Sequence, residues 1–321
     1  MPARGADTRV RPYNYRQMDQ SLLIKSFEIS AALETNQPLV ALESTVIAHG
    51  LPRPQNLATA RSLEQLVREA GATPATIAIL NGQLSVGLTA EQLEFIADSK
   101  DIRKISIRDL PIAIARKWHG ATTVASTSWI AHRAGIKVFA TGGIGGIHRG
   151  DLNDVSADLP ALVVTPIIVV CSGAKIVLDL PATREWLETH GITVIGYGCD
   201  QLPAFYSRAS GLPVDVRVDS AAEVAEIFQA QLGLGIERAL LVTVPVPQEF
   251  EVPASDLERT LKASLAEAER QQIGGRALTP FLLSSMSEHS GGATLKANIA
   301  LLENNARIAG EIAQALRPGD G

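Results

Sequence analysis

Short β-branched segments alternate with longer segments of helical periodicity from about residue 38 onward. Helices are predicted between the strands, for example from Asn56 to Ala70 and from Ala221 to Leu232, where Asp219 or Ser220 can cap the second. This alternation is typical of a layered α/β/α fold, with helices on both faces of a central, mostly parallel sheet. The predicted strands are Leu39–Leu42, Thr76–Leu80, Lys104–Ile107, Val138–Ala140, Ile167–Cys171, Thr193–Tyr197, Val214–Val218 and Ala239–Val244.

The pattern changes after Pro253, where helical periodicity continues with almost no strand signal. Helices are predicted at 254–271, 279–288 and 293–316, and we interpret this C-terminal segment, about 254–316, as a helical cap over the sheet. The 321 residues, 46% of them hydrophobic, can bury a substantial core. We expect a disordered tail at 1–27 followed by a single α/β catalytic domain at 28–321.

Charge and cysteine content exclude several classes of protein. The 29 basic and 34 acidic side chains leave a net charge of -5, which does not favour nucleic acid or an anionic membrane as partner. Two cysteines, Cys171 and Cys199, are too few for a disulfide framework and predict free thiols in a reducing, cytoplasmic setting. Because the start lacks a long apolar stretch and no apolar run approaches about 18 residues, we expect neither a secretory signal nor a membrane-spanning segment. Four early arginines permit an organelle-targeting peptide as the alternative to a polar tail: Arg4, Arg9, Arg11 and Arg16.

Glu43 interrupts an apolar strand at its end, in Ala41-Leu-Glu-Ser-Thr45. A partly desolvated carboxyl has a raised pKa and suits a general acid or base. Pairing with a neighbouring cation is the alternative.

Lys175 follows the apolar strand Ile167–Val170 in the segment Cys171-Ser-Gly-Ala-Lys175. A lysine walled by small residues at a strand end can be desolvated until its amine becomes nucleophilic enough for a Schiff base. The alternative is a lysine whose stem packs while its ammonium reaches solvent.

A glycine-rich segment, 141–150, directly follows the strand Val138–Ala140. Its paired glycines allow backbone N–H groups to approach a phosphate, and His148 and Arg149 add positive charge. The segment matches neither a Walker loop nor a dinucleotide fingerprint. A glycine-rich turn without a ligand is the alternative.

Three aspartates, Asp151, Asp154 and Asp158, cluster immediately afterwards. Carboxylates of this kind suit Mg²⁺ or Mn²⁺, with water completing the coordination shell. Asp154 or Ser156 could instead cap a helix that runs toward Leu162.

Two further segments offer substrate contacts. Lys104 opens a strand and could bind a substrate oxygen or cap a sheet edge. The segment 120–127 places hydroxyls and backbone amides before a helix, which suits phosphate but is also ordinary helix capping.

Together these segments resemble the pseudouridine-5'-phosphate glycosidase family, also known as the indigoidine synthase A-like family, over residues 30 to 316. The strings that carry the resemblance are Val40-Ala-Leu-Glu-Ser-Thr45, Gly50-Leu-Pro-Arg-Pro-Gln-Asn56, Pro74-Ala-Thr-Ile-Ala-Ile79, Gly120-Ala-Thr-Thr-Val-Ala-Ser-Thr127, Phe139-Ala-Thr-Gly-Gly-Ile-Gly-Gly146, Ser156-Ala-Asp-Leu159, Gly173-Ala-Lys175 and Thr279-Pro-Phe-Leu-Leu283.

The resemblance implies a role for each matching position. Lys175 matches the Schiff-base lysine, Glu43 the proton donor and Asp154 a manganese ligand, although another divalent ion is possible. Thr141 and Asn298 match groups that meet the uracil edge. The other implied substrate contacts are Lys104, Val124, His148, Ser156, Ala157 and Asp158. The family is typically a homotrimer.

The implied activity is reversible cleavage of a carbon-carbon glycosidic bond, by a glycosidase or lyase that releases uracil and ribose 5-phosphate. Two features depart from the family pattern: the loop from Arg149 to Asp154 is shorter and lacks an aromatic residue and a second histidine, and Val244 replaces an asparagine. These departures keep a C-glycosynthase, which joins ribose 5-phosphate to another carbon nucleophile, as the alternative. A non-catalytic sugar-phosphate sensor is a second alternative.

Overall fold

The computed structural model describes residues 18–150, 152–274 and 278–317. In this part of the chain, thirteen strands form an eleven-stranded sheet and a separate two-stranded one. The strands are β1 (Leu23–Lys25), β2 (Leu39–Glu43), β3 (Thr73–Leu80), β4 (Gln83–Val86), β5 (Arg103–Ile105), β6 (Gly120–Thr122), β7 (Val138–Ala140), β8 (Ile147–His148), β9 (Ile168–Cys171), β10 (Leu178–Asp179), β11 (Thr193–Tyr197), β12 (Val216–Val218) and β13 (Leu240–Thr243).

Eleven α-helices accompany these strands among the same residues. They are α1 (Phe27–Glu34), α2 (Gln55–Glu69), α3 (Ala90–Asp98), α4 (Leu110–Ala115), α5 (Val124–Ala134), α6 (Asp158–Val163), α7 (Leu180–Thr189), α8 (Ala221–Gly233), α9 (Ala254–Arg270), α10 (Leu278–His289) and α11 (Ala293–Ala315). None of the helices in the described ranges combines the length and apolar character that a membrane crossing requires.

The large sheet has the order β1-β4-β3-β2-β7-β9-β13-β11-β12, with β6 attached to β3 and β5 attached to β6. Strands β3, β2, β7, β9, β13, β11 and β12 pair in parallel, whereas β4 and β6 run antiparallel to β3. All residues of the four central strands β2, β7, β9 and β13 are buried, as expected for parallel strands covered by helices on both faces. The predicted α/β/α architecture with a mostly parallel sheet is therefore confirmed.

The helical C-terminal segment is also confirmed, but its helices pack in different places. Helix α11 packs against α2 and lies across β2, β7 and β9, so it belongs to the layer that covers the sheet. Helices α9 and α10 pack against each other. Thr279 and Pro280, at the start of α10, reach the carboxyl edge of the sheet described below.

The structure describes residues 18–27, which the sequence predicted to belong to a disordered tail. Asp19 caps a short 3₁₀ turn at Gln20–Leu22, and β1 then pairs in parallel with β4. Only residues 1–17 of the predicted tail lie outside the described residues, and the four early arginines fall among them. The short strands β1, β4, β6, β8 and β10 were not predicted, because they have only two to four residues and do not lie in longer apolar runs.

The predicted N-cap is confirmed for helix α8 but is wrong for helix α6. Ser220, one of the two predicted caps of α8, accepts a hydrogen bond from the Glu223 N–H at 3.3 Å. Helix α6 begins at Asp158, and its preceding residue is Ala157, so neither Asp154 nor Ser156 is its N-cap residue. The Ser156 hydroxyl still accepts from the Asp158 N–H at 3.3 Å.

Candidate active site

Three of the residues singled out by the sequence meet at the carboxyl edge of the central sheet. Glu43 ends β2, Thr141 directly follows β7, and Lys175 lies four residues beyond β9. Because β2 pairs in parallel with β7 and β7 with β9, their carboxyl ends lie side by side. Ligand sites of open α/β sheets occur at this edge.

Glu43 is buried, with 7% of its surface exposed. The Thr141 hydroxyl donates a hydrogen bond of 2.5 Å to its Oε1 atom. Burial raises the pKa of Glu43, and this effect outweighs the opposing influences of Lys175, the Thr141 hydrogen bond and Lys104. Glu43 can therefore hold a proton at a higher pH than an exposed carboxyl, which suits a general acid.

Lys175 is held by a turn that only glycine permits. Gly173 has a φ of +79°, and a Cβ there would lie 2.3 Å from the Pro203 carbonyl oxygen. The turn is completed by hydrogen bonds from the Ile144 N–H to the Gly173 carbonyl and from the Lys175 N–H to the Ile144 carbonyl, at 3.0 and 3.1 Å. The lysine is therefore presented to the carboxyl edge by two adjacent loops.

Both cysteines are free thiols, as predicted. Cys171 is buried at the end of β9, and burial raises its thiol pKa to about 12. Cys199 is partly buried, with a pKa raised to about 11. Thiols that stay protonated at neutral pH are poor nucleophiles, so neither cysteine is suited to act as one.

The glycine-rich loop is attached to helix α5 by Asp158. One carboxylate oxygen of Asp158 accepts from the Gly145 N–H and the other from the Ala125 N–H, both at 2.9 Å. A Cβ at Gly145 would lie 2.1 Å from the Ser156 hydroxyl, so this close approach requires glycine. Asp158 thus positions the loop and the first turn of α5 in addition to facing the cavity.

Two adjoining cavities open at this edge. The outer one has a volume of about 320 Å³ and the inner one about 50 Å³. Both cavities are lined by Glu43, Thr45, Lys104, Lys175 and Thr279. The carboxyl and the lysine amine therefore lie at the junction of two compartments.

The outer cavity is polar and suited to an anion. Three basic side chains, Lys104, Arg108 and Lys175, line it beside four carboxyl side chains, one of which, Asp158, is already bound by two backbone N–H groups. Thr123 and Val124 line it at the N-terminus of α5, where the first N–H groups of a helix favour negative charge. The structure also brings most of the predicted substrate contacts together here, namely Lys104, Val124, His148, Ser156, Ala157 and Asp158.

Asp154, the predicted metal ligand, also lines the outer cavity. Its carboxylate is half-exposed and lies 3.0 Å from the His148 Nδ1 atom. No group of three or more metal-ligating side chains exists within 18–150, 152–274 and 278–317, and Asp151 of the predicted cluster falls outside these ranges. The donor set fits a hard divalent ion held by one carboxylate, water and a ligand phosphate, as Mg²⁺ often is.

The inner cavity is smaller and less polar. Its lining includes Val46, Phe205, Pro280 and Leu283, together with the polar side chains of His49 and Asn298. Phe205 has a φ of +64°, an uncommon conformation for a bulky residue, and its N–H donates to the Ser172 carbonyl at 3.1 Å. The close approach of its ring to Gly143 leaves no room for a Cβ there, at 2.8 Å.

Thr141 differs from its predicted position. It was expected to meet the uracil edge, but it is not among the residues that line either cavity, and its hydroxyl is directed at Glu43. Asn298, its predicted companion, does line the inner cavity.

Asn305 is a supporting residue that sequence reasoning missed. It is fully buried in α11, and its Nδ2 group donates to the Thr141 carbonyl at 2.8 Å and lies 3.2 Å from the Ser172 hydroxyl. Asn305 therefore holds the segments that follow β7 and β9 together. The sequence contained a signal for Asn305, because it lies seven residues after Asn298 and therefore on the same face of the helix.

One of the departures from the family pattern lies away from the cavities. Val244 is buried at the end of β13, where its N–H donates to the Cys171 carbonyl at 2.8 Å, and it is not among the described residues that line either cavity. The shortened loop does reach the site, because Asp154 ends it.

The chain is similar to known proteins over most of its length. The chain is 50% identical over 293 residues to a pseudouridine-5'-phosphate glycosidase from Caldanaerobacter subterraneus subsp. tengcongensis, covering 91% of this chain and 95% of the relative. It is 51% identical to the enzyme of the same name from Myxococcus xanthus, covering 90% and 97%.

Two solved structures share the fold. The prealnumycin C-glycosynthase AlnA, in complex with ribulose 5-phosphate, has a TM-score of 0.85 and 42% identity, covering 93% of this chain and 97% of that one. An indigoidine synthase A-like protein from Thermotoga maritima has a TM-score of 0.84 and 38% identity, covering 92% and 98%. The model of the family described as indigoidine synthase A like protein matches residues 28–315, and the chain belongs to that family.

Proposed function

We propose that the protein is a pseudouridine-5'-phosphate glycosidase, which reversibly cleaves the C-glycosidic bond to yield uracil and ribose 5-phosphate through a lysine Schiff base. The observation that carries the proposal is the position of Glu43 and Lys175, which line both the outer cavity and the smaller, less polar inner cavity. The relatives at about 50% identity bear the same name.

The two cavities divide the substrate between them. The sugar phosphate occupies the outer cavity, where Lys104, Arg108 and the N-terminus of α5 stabilise its negative charge. The base occupies the inner cavity, between Phe205 and the side chains of α10 and α11. The bond to be cleaved then lies at the junction, beside Glu43 and Lys175.

A C-glycosidic bond is difficult to hydrolyse directly, because the base has no oxygen or nitrogen at that bond that could be protonated and expelled. An acid and an amine at the junction of the cavities provide another route. Glu43 gives its proton to the ribose ring oxygen while the Lys175 amine bonds to C1', and the C1'–O4' bond breaks. The newly bonded lysine nitrogen loses a proton to the Glu43 carboxylate, and Glu43 passes a proton to uracil C5. The C1'–C5 bond then breaks and its electron pair leaves with the base. The lysine nitrogen stabilises C1' as an iminium ion, and water hydrolyses it to ribose 5-phosphate and free lysine.

A divalent ion, Mn²⁺ or another, is the proposed cofactor. Asp154 would hold it, and when bound it would supply positive charge and ordered water beside the sugar phosphate. We expect Asp154→Asn to raise the Mn²⁺ concentration needed for half-maximal activity in a metal titration. Asp200→Asn, which alters an exposed carboxylate paired with Arg217, is the control and should leave the titration unchanged.

A C-glycosynthase is the second candidate, favoured by the 42% identity to the prealnumycin C-glycosynthase. It would use the same Glu43 and Lys175 but join ribose 5-phosphate to another carbon nucleophile. A non-catalytic sensor is disfavoured, since both groups are present and face the cavities. The homotrimer and the cytoplasmic setting remain predictions, which sedimentation and cell fractionation would test.

The first experiment traps the proposed intermediate. The protein is incubated with Mn²⁺ and ribose 5-phosphate, reduced with borohydride, and analysed by peptide mass spectrometry. We expect a reduced pentose phosphate adduct on Lys175, absent from Lys175→Ala, which should fold but not turn over pseudouridine 5'-phosphate. Binding of ribose 5-phosphate without an adduct would support the sensor. An adduct without uracil release from pseudouridine 5'-phosphate would support the synthase.

A further inference from the structure

Beyond the end of β2, a second strand takes its place along β3. Strand β2 pairs with β3 as far as Glu43, which lies opposite Ile77. Strand β6 then pairs with the next two residues of β3, Ala78 and Ile79, in the antiparallel direction. Since β4 occupies the other edge of β3 at these two residues, β6 must lie on the same edge as β2. The carboxyl ends of β2 and β6 therefore meet beside Glu43.

Three fully buried hydroxyl groups close this junction, and we call Ser44, Thr122 and Thr127 the hydroxyl network. The Ile77 carbonyl accepts from the Ser44 hydroxyl at 2.6 Å and from the Thr122 hydroxyl at 2.7 Å. The Ser44 hydroxyl accepts from the Thr122 N–H at 2.9 Å, and the Thr122 hydroxyl accepts from the Thr127 hydroxyl at 2.8 Å. Each hydroxyl thus donates one hydrogen bond, and a buried network whose donors are all used holds its members in one arrangement.

The network joins β2 to the elements on the phosphate side of the outer cavity. Strand β6 pairs with β5, which places Lys104 opposite Ala121. The Thr123 N–H and the Ser126 hydroxyl both donate to the Ile105 carbonyl, at 3.1 and 2.7 Å, and so attach α5 to β5. We call β5, β6 and the first turn of α5 the phosphate-side unit. Within the described ranges, this unit joins the rest of the sheet through two residue pairs between β6 and β3.

The hydroxyls of segment 120–127 were predicted either to bind phosphate or to cap a helix. Capping is found for Ser126, whose hydroxyl accepts from the Thr123 N–H at 2.9 Å. The hydroxyls of Thr122 and Thr127 serve neither purpose, because both residues are fully buried and are not among the described residues that line either cavity. Their bonds instead connect β6 and α5 to the end of β2.

We propose that the three residues of the hydroxyl network are positioning residues, which hold the phosphate-side unit in register with the proton donor Glu43. This inference rests on the proposed function, in which the phosphate-side unit binds the phosphate while C1' must lie beside Glu43 and Lys175. A substrate anchored at its phosphate reacts only if C1' reaches the acid and the amine, and a misplacement of about 1 Å can lower the rate roughly 100-fold. The network fixes the separation between these two parts of the site.

The test compares two variants of Thr122 in the release of uracil from pseudouridine 5'-phosphate. Thr122→Val keeps the shape of the side chain but removes its hydroxyl, and we expect kcat to fall by about 10- to 100-fold. KM should change by less than about threefold, because the groups that face the phosphate are retained. Thr122→Ser keeps the hydroxyl, and its kcat should stay within about threefold of the wild-type value.

Thr243→Val is the matched control. Thr243 is also fully buried at the end of a central strand, and its hydroxyl donates to the Ile195 carbonyl at 2.8 Å, but it is not among the described residues that line either cavity. Thr243→Val should lower the melting temperature and leave kcat and KM unchanged. An equal loss of kcat in both valine variants, or an unchanged kcat in Thr122→Val, would overturn the proposal. A raised KM with an unchanged kcat would identify Thr122 as a substrate contact instead.

Circular dichroism melts establish that each variant is folded. If Thr122→Val does not fold, Thr127→Val decides, because it removes only the outermost bond of the network and should show the same change in kcat with a smaller magnitude. An unchanged kcat in that variant would refute the role of the network. Uracil release by the wild-type protein is measured first, and its absence would refute the proposed function. The rate of the borohydride-trapped ribose 5-phosphate adduct on Lys175 would then replace kcat in the comparison, so the two failures are distinguished.

Discussion

Replacing Thr141 with valine tests the role that the structure assigns to this residue. Valine has the same shape but no hydroxyl, so the change removes the hydrogen bond to Glu43 and leaves the packing. That bond favours the ionised carboxylate and therefore lowers the Glu43 pKa against the effect of burial. Without it, the pKa of Glu43 rises further, and the general acid stays protonated to a higher pH.

The size of the effect follows from the strength of such a bond. A hydrogen bond to a charged group contributes about 1.5–3 kcal/mol, and about 1.4 kcal/mol corresponds to one pH unit. The alkaline limb of the kcat profile should therefore move up by about one to two pH units in Thr141→Val. Thr141→Ser keeps the hydroxyl and is the matched control, with an expected limb close to that of the wild type.

The assay is release of uracil from pseudouridine 5'-phosphate between pH 5 and 10, at saturating Mn²⁺ and substrate. If Thr141 instead met the uracil edge, as the sequence predicted, Thr141→Val would raise KM for the nucleotide. An unmoved alkaline limb together with a raised KM would refute the reasoning from the structure.

Two other predictions concern stability. Glu43→Gln should be inactive, and in thermal melts its stability relative to the wild type should increase as pH rises. The pKa of Glu43 is higher in the folded than in the unfolded protein, so ionisation of Glu43 opposes folding above the unfolded pKa. This loss of wild-type stability grows until the pH passes the folded pKa. An equal difference at pH 4 and pH 8 would contradict this. Asn305→Ala should lower the free energy of unfolding by about 1–3 kcal/mol in urea titrations, because it leaves the buried Thr141 carbonyl unpaired, whereas Asn304→Ala, on the exposed side of α11, should change it by less. Equal losses in the two variants would refute the role of Asn305.

The sequence predicted the long helices because each carries its own periodicity, and the buried central strands because they lie in runs of apolar residues. The strands at 138–140 and 193–197 and the helices at 221–232 and 254–271 agree with the structure to within one residue at each end. Strand β6 was not predicted, because its residues Gly120–Thr122 were interpreted only as a segment that precedes a helix. Its antiparallel pairing with β3 joins segments that are distant in the sequence. Such pairings leave no local pattern in the chain.

Some polar residues of the site could be identified from the sequence, whereas the contacts of others are seen only in the structure. Glu43 and Lys175 could be chosen from the sequence, because a charged residue at the end of an apolar strand is conspicuous and the ends of parallel strands share one edge. Whether Thr141 faces the base or Glu43, and whether Asp158 holds a loop as well as facing a ligand, depends on side-chain directions in three dimensions.

By itself, the sequence determined the layered α/β fold, which follows from periodicity along the chain, and its resemblance to the family singled out Glu43 and Lys175. Only the tertiary structure decided the division into two cavities and the support of the site by Asn305. Those features arise where segments distant in sequence pack together, and their hydrogen bonds depend on distances that no local pattern records.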